Sequence, residues 1–142
     1  MASFKNTIRC AGGGTGITTM SGVEHAEIGA PVAYGGRADT LNPEELFVVS
    51  INGCLMLVFY HFAEKSGLGI ESYEADAEGT VAKTRNGLRF TDVQVQARIK
   101  ASGADVTGRL EEVAKLAEKY CLVSNSVNCP VSYSVSLAKD SV

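Results

Sequence analysis

From Leu46 to Phe62 the chain is apolar nearly all round, with Ser50, Asn52 and His61 as the polar members and Gly53 as a further interruption. A helix with so little polar surface has to be buried on most sides. Its entrance is marked: Asn42 suits the N-cap and Pro43 the first helical position. Glu45 falls at the third helical position, where its carboxylate can reach back to the cap's N–H. That occupies Glu45 and leaves Glu44 free. Gly67 stands where a glycine closes a helix. A helix over 42–67 is therefore predicted, and the rest of the fold must cover it. A membrane would cover it too, but a span needs about 20 predominantly apolar residues. This run has 17, is broken by Ser50-Ile51-Asn52-Gly53 and stands alone. The expectation is a core or interface helix, with no membrane as partner.

The rest of the chain supplies the cover. Residues 1–41 are rich in glycine and turn formers, which predicts short strands joined by tight turns. The run Ala11-Gly12-Gly13-Gly14-Thr15-Gly16 is a turn, since it lacks the lysine and the strand–turn–helix context of a phosphate cradle. Residues 71–101 predict a β-hairpin: Tyr73, Ala75, Ala77 and Val81 keep one register, Val93, Val95, Ala97 and Ile99 the return register, and Asn86-Gly87 signals the turn. Leu88 and Phe90 fall in the opposite phase, so a bulge is expected near Thr91-Asp92. A second helix is predicted over 105–121, with Leu110, Val113, Ala114, Ala117, Tyr120 and Cys121 on one face. A final strand over 129–138 alternates apolar and polar residues. These elements describe one α+β domain over 1–142.

Composition narrows the function. With 45% apolar and 20% charged residues the class is globular. The net charge of −3 comes with no basic block, which argues against nucleic acid as a partner. No apolar signal core follows Met1, so a cytoplasmic location is expected. In that reducing compartment the four cysteines would be structural, metal-binding or redox-active. Metal is the weakest of these, because no close Cys-x-x-Cys pair occurs and only His25 and His61 could assist. No cofactor is called for.

Cys54 lies within the apolar helix. A free thiol has a pKa near 8.5 and burial raises it, so a reactive Cys54 needs a fixed cation close by. Arg37, in the glycine-rich loop before the helix, is the candidate; it is the only arginine between Arg9 and Arg85. Glu44 could hold its guanidinium through two parallel hydrogen bonds. Glu44 and Cys54 are ten residues apart, about 15 Å of rise and about 80° of rotation, so they cannot touch on one straight helix. A bend near Asn52-Gly53, a bridging arginine or a second subunit has to join them, and the last predicts a homodimer. Cys121 closes the second helix on its apolar face. It reads either as a core side chain or as a resolving thiol, and Cys129 remains a competing disulfide partner. Cys10 reads as incidental, and His61 as a core or interface histidine.

The order and spacing of Asn42-Pro43-Glu44-Glu45-Leu46-Phe47, Cys54, Gly87-Leu88-Arg89-Phe90-Thr91 and Lys119-Tyr120-Cys121-Leu122-Val123-Ser124 resemble the OsmC/Ohr family of thiol-dependent hydroperoxide reductases over roughly residues 35–137. The resemblance implies antiparallel sheets wrapped around a long buried central helix in an intertwined homodimer. It implies Cys54 as the peroxidatic thiol, Cys121 as the resolving thiol, and Glu44 as the partner of an active-site arginine. Arg37 fits that arginine as the OsmC-like branch places it; the N-terminal glycine turn, where the other branch carries it, has none. The implied activity is reduction of organic hydroperoxides, and of hydrogen peroxide more weakly, in oxidative or osmotic stress. An external dithiol, of lipoyl type in the Ohr branch, would restore the thiols. The chain departs from the pattern at Leu122, where proline is usual, at Asn52-Gly53, where small alanines are usual, and at Leu55, where an aromatic is common. Those departures leave a redox-sensing or small apolar-ligand-binding dimer as the alternative, and a structural Cys121–Cys129 disulfide as a third reading.

Overall fold

A computed structural model describes residues 1–10, 12–20 and 23–139. Ala11, the first residue of the predicted glycine turn, lies outside the described residues. Two compact units divide the chain, Met1–Phe47 and Val48–Val142.

The first unit is a small antiparallel sheet of β1 (Thr7–Arg9), β2 (Gly16–Met20) and β3 (Val23–Ile28), in that order. After β3 the chain makes a tight loop with a single 3-10 turn at Val32–Tyr34. The loop closes where Gly36 donates its N–H to the Pro31 carbonyl at 3.0 Å. Gly36 passes so near the Ala30 carbonyl that no side chain would fit there. The strand-like Leu41 then bridges Ile28 in parallel, and α1 (Pro43–Lys65) begins. Its N-cap is Asn42, whose Oδ1 accepts the N–H of Glu45 at 2.8 Å.

The second unit holds a three-stranded sheet in the order β4 (Gly69–Thr84), β5 (Gly87–Ser102), β6 (Val131–Leu137), with α2 (Val106–Tyr120) between β5 and β6. Inward residues line up across the ladder: Ala77 opposite Val95 and Val95 opposite Tyr133, then Ala75 opposite Ala97 and Ala97 opposite Val135. The outer face is polar, and Arg98 reaches Asp76 at 2.9 Å and Glu74 at 3.4 Å across it. The helices cover the inner face. From α1 come Ile51, Leu55, Phe59 and Ala63, four apart and almost fully buried; from α2 come Leu110, Val113 and Ala117. Phe59 packs its ring 5.5 Å from that of Tyr73, and Asn52 donates to the Ala75 carbonyl at 3.3 Å.

Three details refine the expected layout. β6 joins β5 in parallel, because the crossover through α2 returns the chain to the same end of the sheet; the antiparallel pattern holds for β1–β3 and β4–β5. The hairpin turn is one residue earlier than Asn-Gly: Thr84 pairs with Gly87, and only Gly87 takes a positive φ (94°). A type I′ turn needs positive φ at both central residues, so the glycine serves instead as the residue after the turn. The bulge falls where expected, with Val81 opposite Phe90 and Thr80 opposite Asp92, leaving Thr91 unpaired.

α1 ends in a Schellman closure: Gly67 has φ 72°, its N–H binds the Glu64 carbonyl, and the Leu68 N–H binds that of Ala63. By length and composition α1 could cross a membrane, yet one face is packed on the polar-backed sheet. Its other face is open in the single chain, with Val49 61% and Leu57 66% exposed. The helix that the sequence requires to be buried on most sides is thus buried along one.

Candidate active site

The second unit brings two thiols together. Cys54 lies between core residues Ile51 and Leu55 on α1 and is half-buried. Cys121 continues the inward stripe of α2 and is fully buried. It is also the C-cap, where the backbone leaves the helix at φ −71° and ψ 107°. The Cys121 thiol and the backbone N–H groups of Val123 and Leu122 are near enough to the Cys54 sulfur to bear on its ionisation. Burial pushes the Cys54 thiol above its ordinary range, the Cys121 sulfur pushes the same way, and the two N–H groups pull it back. None of the groups that bear most on this thiol is a cation. Cys10, Cys54, Cys121 and Cys129 are all free, Cys10 exposed and Cys129 half-buried.

Beside the thiols lies a feature that sequence reasoning passed over. Tyr133 on β6 and Tyr73 on β4 join hydroxyls at 2.7 Å. Burial first, then the partner hydroxyl, pushes Tyr133 far above the ordinary phenol range; Glu118 and Cys121 are near enough to add to it. Tyr73 is pushed up as well, by burial. The available signal was phase: both tyrosines fall in the inward register of their strands, with Ala75, Ala77 and Gly79 following Tyr73 and Val131 and Val135 flanking Tyr133. A phenol placed there needs an internal partner.

The predicted cation and its acid lie in the first unit, and they are not paired within the chain. Arg37 makes a two-pronged contact with Asp39, Nε to Oδ1 at 2.9 Å and a terminal nitrogen to Oδ2 at 2.8 Å. Its terminal nitrogen also meets Glu27 at 3.0 Å, and Thr15 donates to the other Glu27 oxygen at 3.1 Å. Asp39 foremost, then Glu27, holds the guanidinium above its ordinary pKa, and Arg37 holds the Asp39 carboxyl below its own. Glu44, one residue into α1, has its Oε2 buried without a hydrogen-bond partner. An unpaired buried carboxylate oxygen is costly, about 1–3 kcal/mol or more, so this position is built for a donor. His61 is exposed and sits edge-on to the Phe62 ring at 5.1 Å. Among the described residues no three His, Cys, Asp or Glu side chains gather as a metal site.

A family model described as OsmC-like protein matches residues 36–136. An OsmC-like protein of unknown function from Vibrio cholerae superimposes with a TM-score of 0.88 at 23% identity, covering 96% of this chain and 100% of that one. An organic hydroperoxide resistance protein from Legionella pneumophila gives 0.74 at 21% identity, with 98% of each chain covered. The organic hydroperoxide resistance protein OhrB of Bacillus subtilis gives 0.69 at 23% identity, covering 96% of this chain and 98% of that one. No curated protein matches the chain.

Proposed function

The chain belongs to the OsmC-like protein family, and from that membership and the meeting of its two thiols we propose that it is a thiol-based peroxidase acting on organic hydroperoxides. The observation that carries the reading is the Cys54 sulfur set against Cys121. In the proposed reaction the Cys54 thiolate attacks the distal peroxide oxygen and the O–O bond breaks. The leaving alkoxide takes a proton and departs as the alcohol, and Cys54 becomes a sulfenic acid. The Cys121 thiol then displaces hydroxide, which leaves as water, and an S–S bond forms. An external dithiol, of lipoyl type or similar, reduces that bond by exchange and is itself oxidised.

Arg37 is assigned the role of the cation that keeps Cys54 ionised, and Glu44 that of its anchor. Both tasks require a change from the pairing of the single chain, in which Asp39 and Glu27 hold the guanidinium. A homodimer is the proposed source of that change. It would also cover the open face of α1 at Val49, Leu57 and Tyr60, in keeping with so apolar a helix. The apolar side chains around Cys54 favour an alkyl peroxide over hydrogen peroxide, and the proposed setting is cytoplasmic defence against oxidative or osmotic stress.

The decisive experiment treats reduced protein with one equivalent of cumene hydroperoxide and maps the bonds by mass spectrometry. A rapid Cys54–Cys121 link is expected; an unmodified Cys54 would reject the reading. A second reading, a redox-sensing dimer without fast turnover, is favoured by the upward push on the Cys54 thiol. It predicts the same link but no sustained peroxide consumption when excess dithiol is supplied.

A further inference from the structure

The two thiols differ in how they can be reached. Cys121 is 0% exposed and extends the buried stripe of Leu110, Val113 and Ala117 on α2. Helix ends fray, which would uncover a thiol placed there, but the turn that follows is fastened. The Asn125 N–H and the Ser124 hydroxyl donate to the Cys121 carbonyl at 3.1 Å and 3.3 Å. The Asn125 amide donates to the Lys119 carbonyl at 2.9 Å, and the Ser126 hydroxyl to the Leu122 carbonyl at 2.7 Å. Cys54 stands in mid-helix and is half-buried. Ser50 lies about one turn before it and His61 about two turns after it, about 40° and about 20° further round α1. Both are on the side away from the buried Ile51, Leu55 and Phe59, and both are exposed. That line of exposed residues leaves one flank of Cys54 open.

We infer that the external dithiol enters at the Cys54 sulfur and not at Cys121, so that one sulfur meets both the peroxide and the reductant. The inference deepens the peroxidase reading and rests on its Cys54–Cys121 disulfide. A thiolate enters a disulfide along the S–S axis, opposite the sulfur that leaves, so the attacked sulfur needs an open flank. Cys121, at 0% exposure, has none. Attack on Cys54 joins its sulfur to the dithiol, breaks the S–S bond and expels Cys121 as a thiolate, which takes a proton. The second thiol of the reductant then attacks the reductant's own sulfur in that mixed disulfide. The reductant leaves as a cyclic disulfide, and Cys54 is released as the thiolate. Cys121 carries no adduct at any step, so its burial does not hinder the cycle.

The experiment forms the disulfide in the unmodified chain with diamide, so that no peroxide enters. Glutathione, a monothiol that cannot cyclise, is added briefly and the mixture is quenched in acid. Peptide mass spectrometry then locates the glutathione adduct. It is expected on Cys54 in at least about tenfold excess over Cys121. An adduct mainly on Cys121, or divided evenly between the two, would overturn the inference. So would a diamide link from Cys121 to Cys129 in place of Cys54. The two readings separate when the same chain is given cumene hydroperoxide. A diamide link that opens at Cys54, in a chain that ignores the peroxide, would defeat the peroxidase reading and support this inference. A peroxide-made link that opens at Cys121 would do the reverse. No Cys54–Cys121 link with either oxidant would overturn both.

Discussion

The two units of this chain are held together by different forces. Every apolar side chain that is buried among the described residues lies in the second unit, from Ile51 to Tyr133; Cys121 is part of that core, and Cys54 is half-buried. In the first unit the buried residues include Thr18, which takes a hydrogen bond from Asn6 at 2.6 Å, and the cap Asn42. Its apolar side chains are instead open, Ile8 at 56% and Tyr34 at 51% exposed. Its order comes from ladder bonds and from the Arg37–Asp39–Glu27 cluster. A core completes itself within one chain, because apolar contacts form wherever apolar surfaces meet. An ion-pair cluster on a surface is exchangeable, since exposed pairs contribute only about 0–1 kcal/mol. The thiol half of the proposed site is thus finished in the single chain, and the acid–cation half is open to rearrangement.

The largest effect should come from the finished half. Cys54→Ser is expected to abolish dithiol-dependent peroxide consumption, a loss of at least about a thousandfold against a typical thiol-catalysed rate enhancement. Cys121→Ser should keep the first oxidation, leaving a Cys54 sulfenic acid that dimedone traps, and lose the disulfide. Consumption by Cys54→Ser at the original rate would move the chemistry to another thiol.

Next in size is the contrast between the two faces of α1. Leu55 is fully buried, and Leu55→Ala should cost about 2–5 kcal/mol in urea unfolding. Leu57 is 66% exposed in the single chain. Leu57→Ala should leave the stability of a dilute monomer within about 0.5 kcal/mol while weakening self-association in sedimentation experiments. A Leu57→Ala variant as self-associated as the parent would show that this face is covered by something other than a second copy.

The open half is tested by opposite signs. Asp39→Ala removes the competing carboxylate from Arg37 and should raise Cys54 alkylation at neutral pH. Arg37→Ala should lower it by about tenfold, the equivalent of about one pH unit of thiol ionisation. Glu44→Gln should fall between, because a neutral amide still offers an oxygen to the guanidinium. If Asp39→Ala and Arg37→Ala shift the rate in the same direction, Arg37 is not the activating cation.

How far the sequence carries can be judged on particular residues. α1 was legible because an all-apolar run has one solution, and its ends were legible because caps are local: Asn42 binds an amide three residues on, and Gly67 supplies the positive φ. The bulge at Thr91 was legible as a phase change. The parallel placement of β6 was not, since alternation tells which face of a strand is apolar but not which neighbour it joins. The nearness of Cys54 and Cys121 was implied by the resemblance, with Cys129 left open as a competitor, whereas the partners of Arg37 were not foreseen. Asp39 is two residues from it and Glu27 ten, and only the turn at Gly35–Gly36 decides that both converge on one guanidinium. The tyrosine pair escaped for a related reason: Tyr73 and Tyr133 are sixty residues apart and meet only because β5 lies between their strands.

That tyrosine pair gives the smallest expected effect and one with a definite sign. Both phenols are pushed above the ordinary value of about 10, chiefly by burial. The folded chain therefore keeps protons that the unfolded chain releases. This contribution is fully present below pH 10 and is lost as the pH rises beyond it, by up to about 1.4 kcal/mol per pH unit for each group. Urea midpoints measured between pH 9 and 11 should fall more steeply in the parent than in Tyr133→Phe. Tyr133→Phe itself should cost about 1 kcal/mol at neutral pH, because the Tyr73 hydroxyl loses its partner. Its effect on the Cys54–Cys121 link formed with one equivalent of peroxide should be slight, since neither hydroxyl is among the groups that bear most on the Cys54 sulfur. A parent and variant with parallel pH profiles would mean that water reaches the phenols, and that the core beneath the thiols is looser than its packing implies.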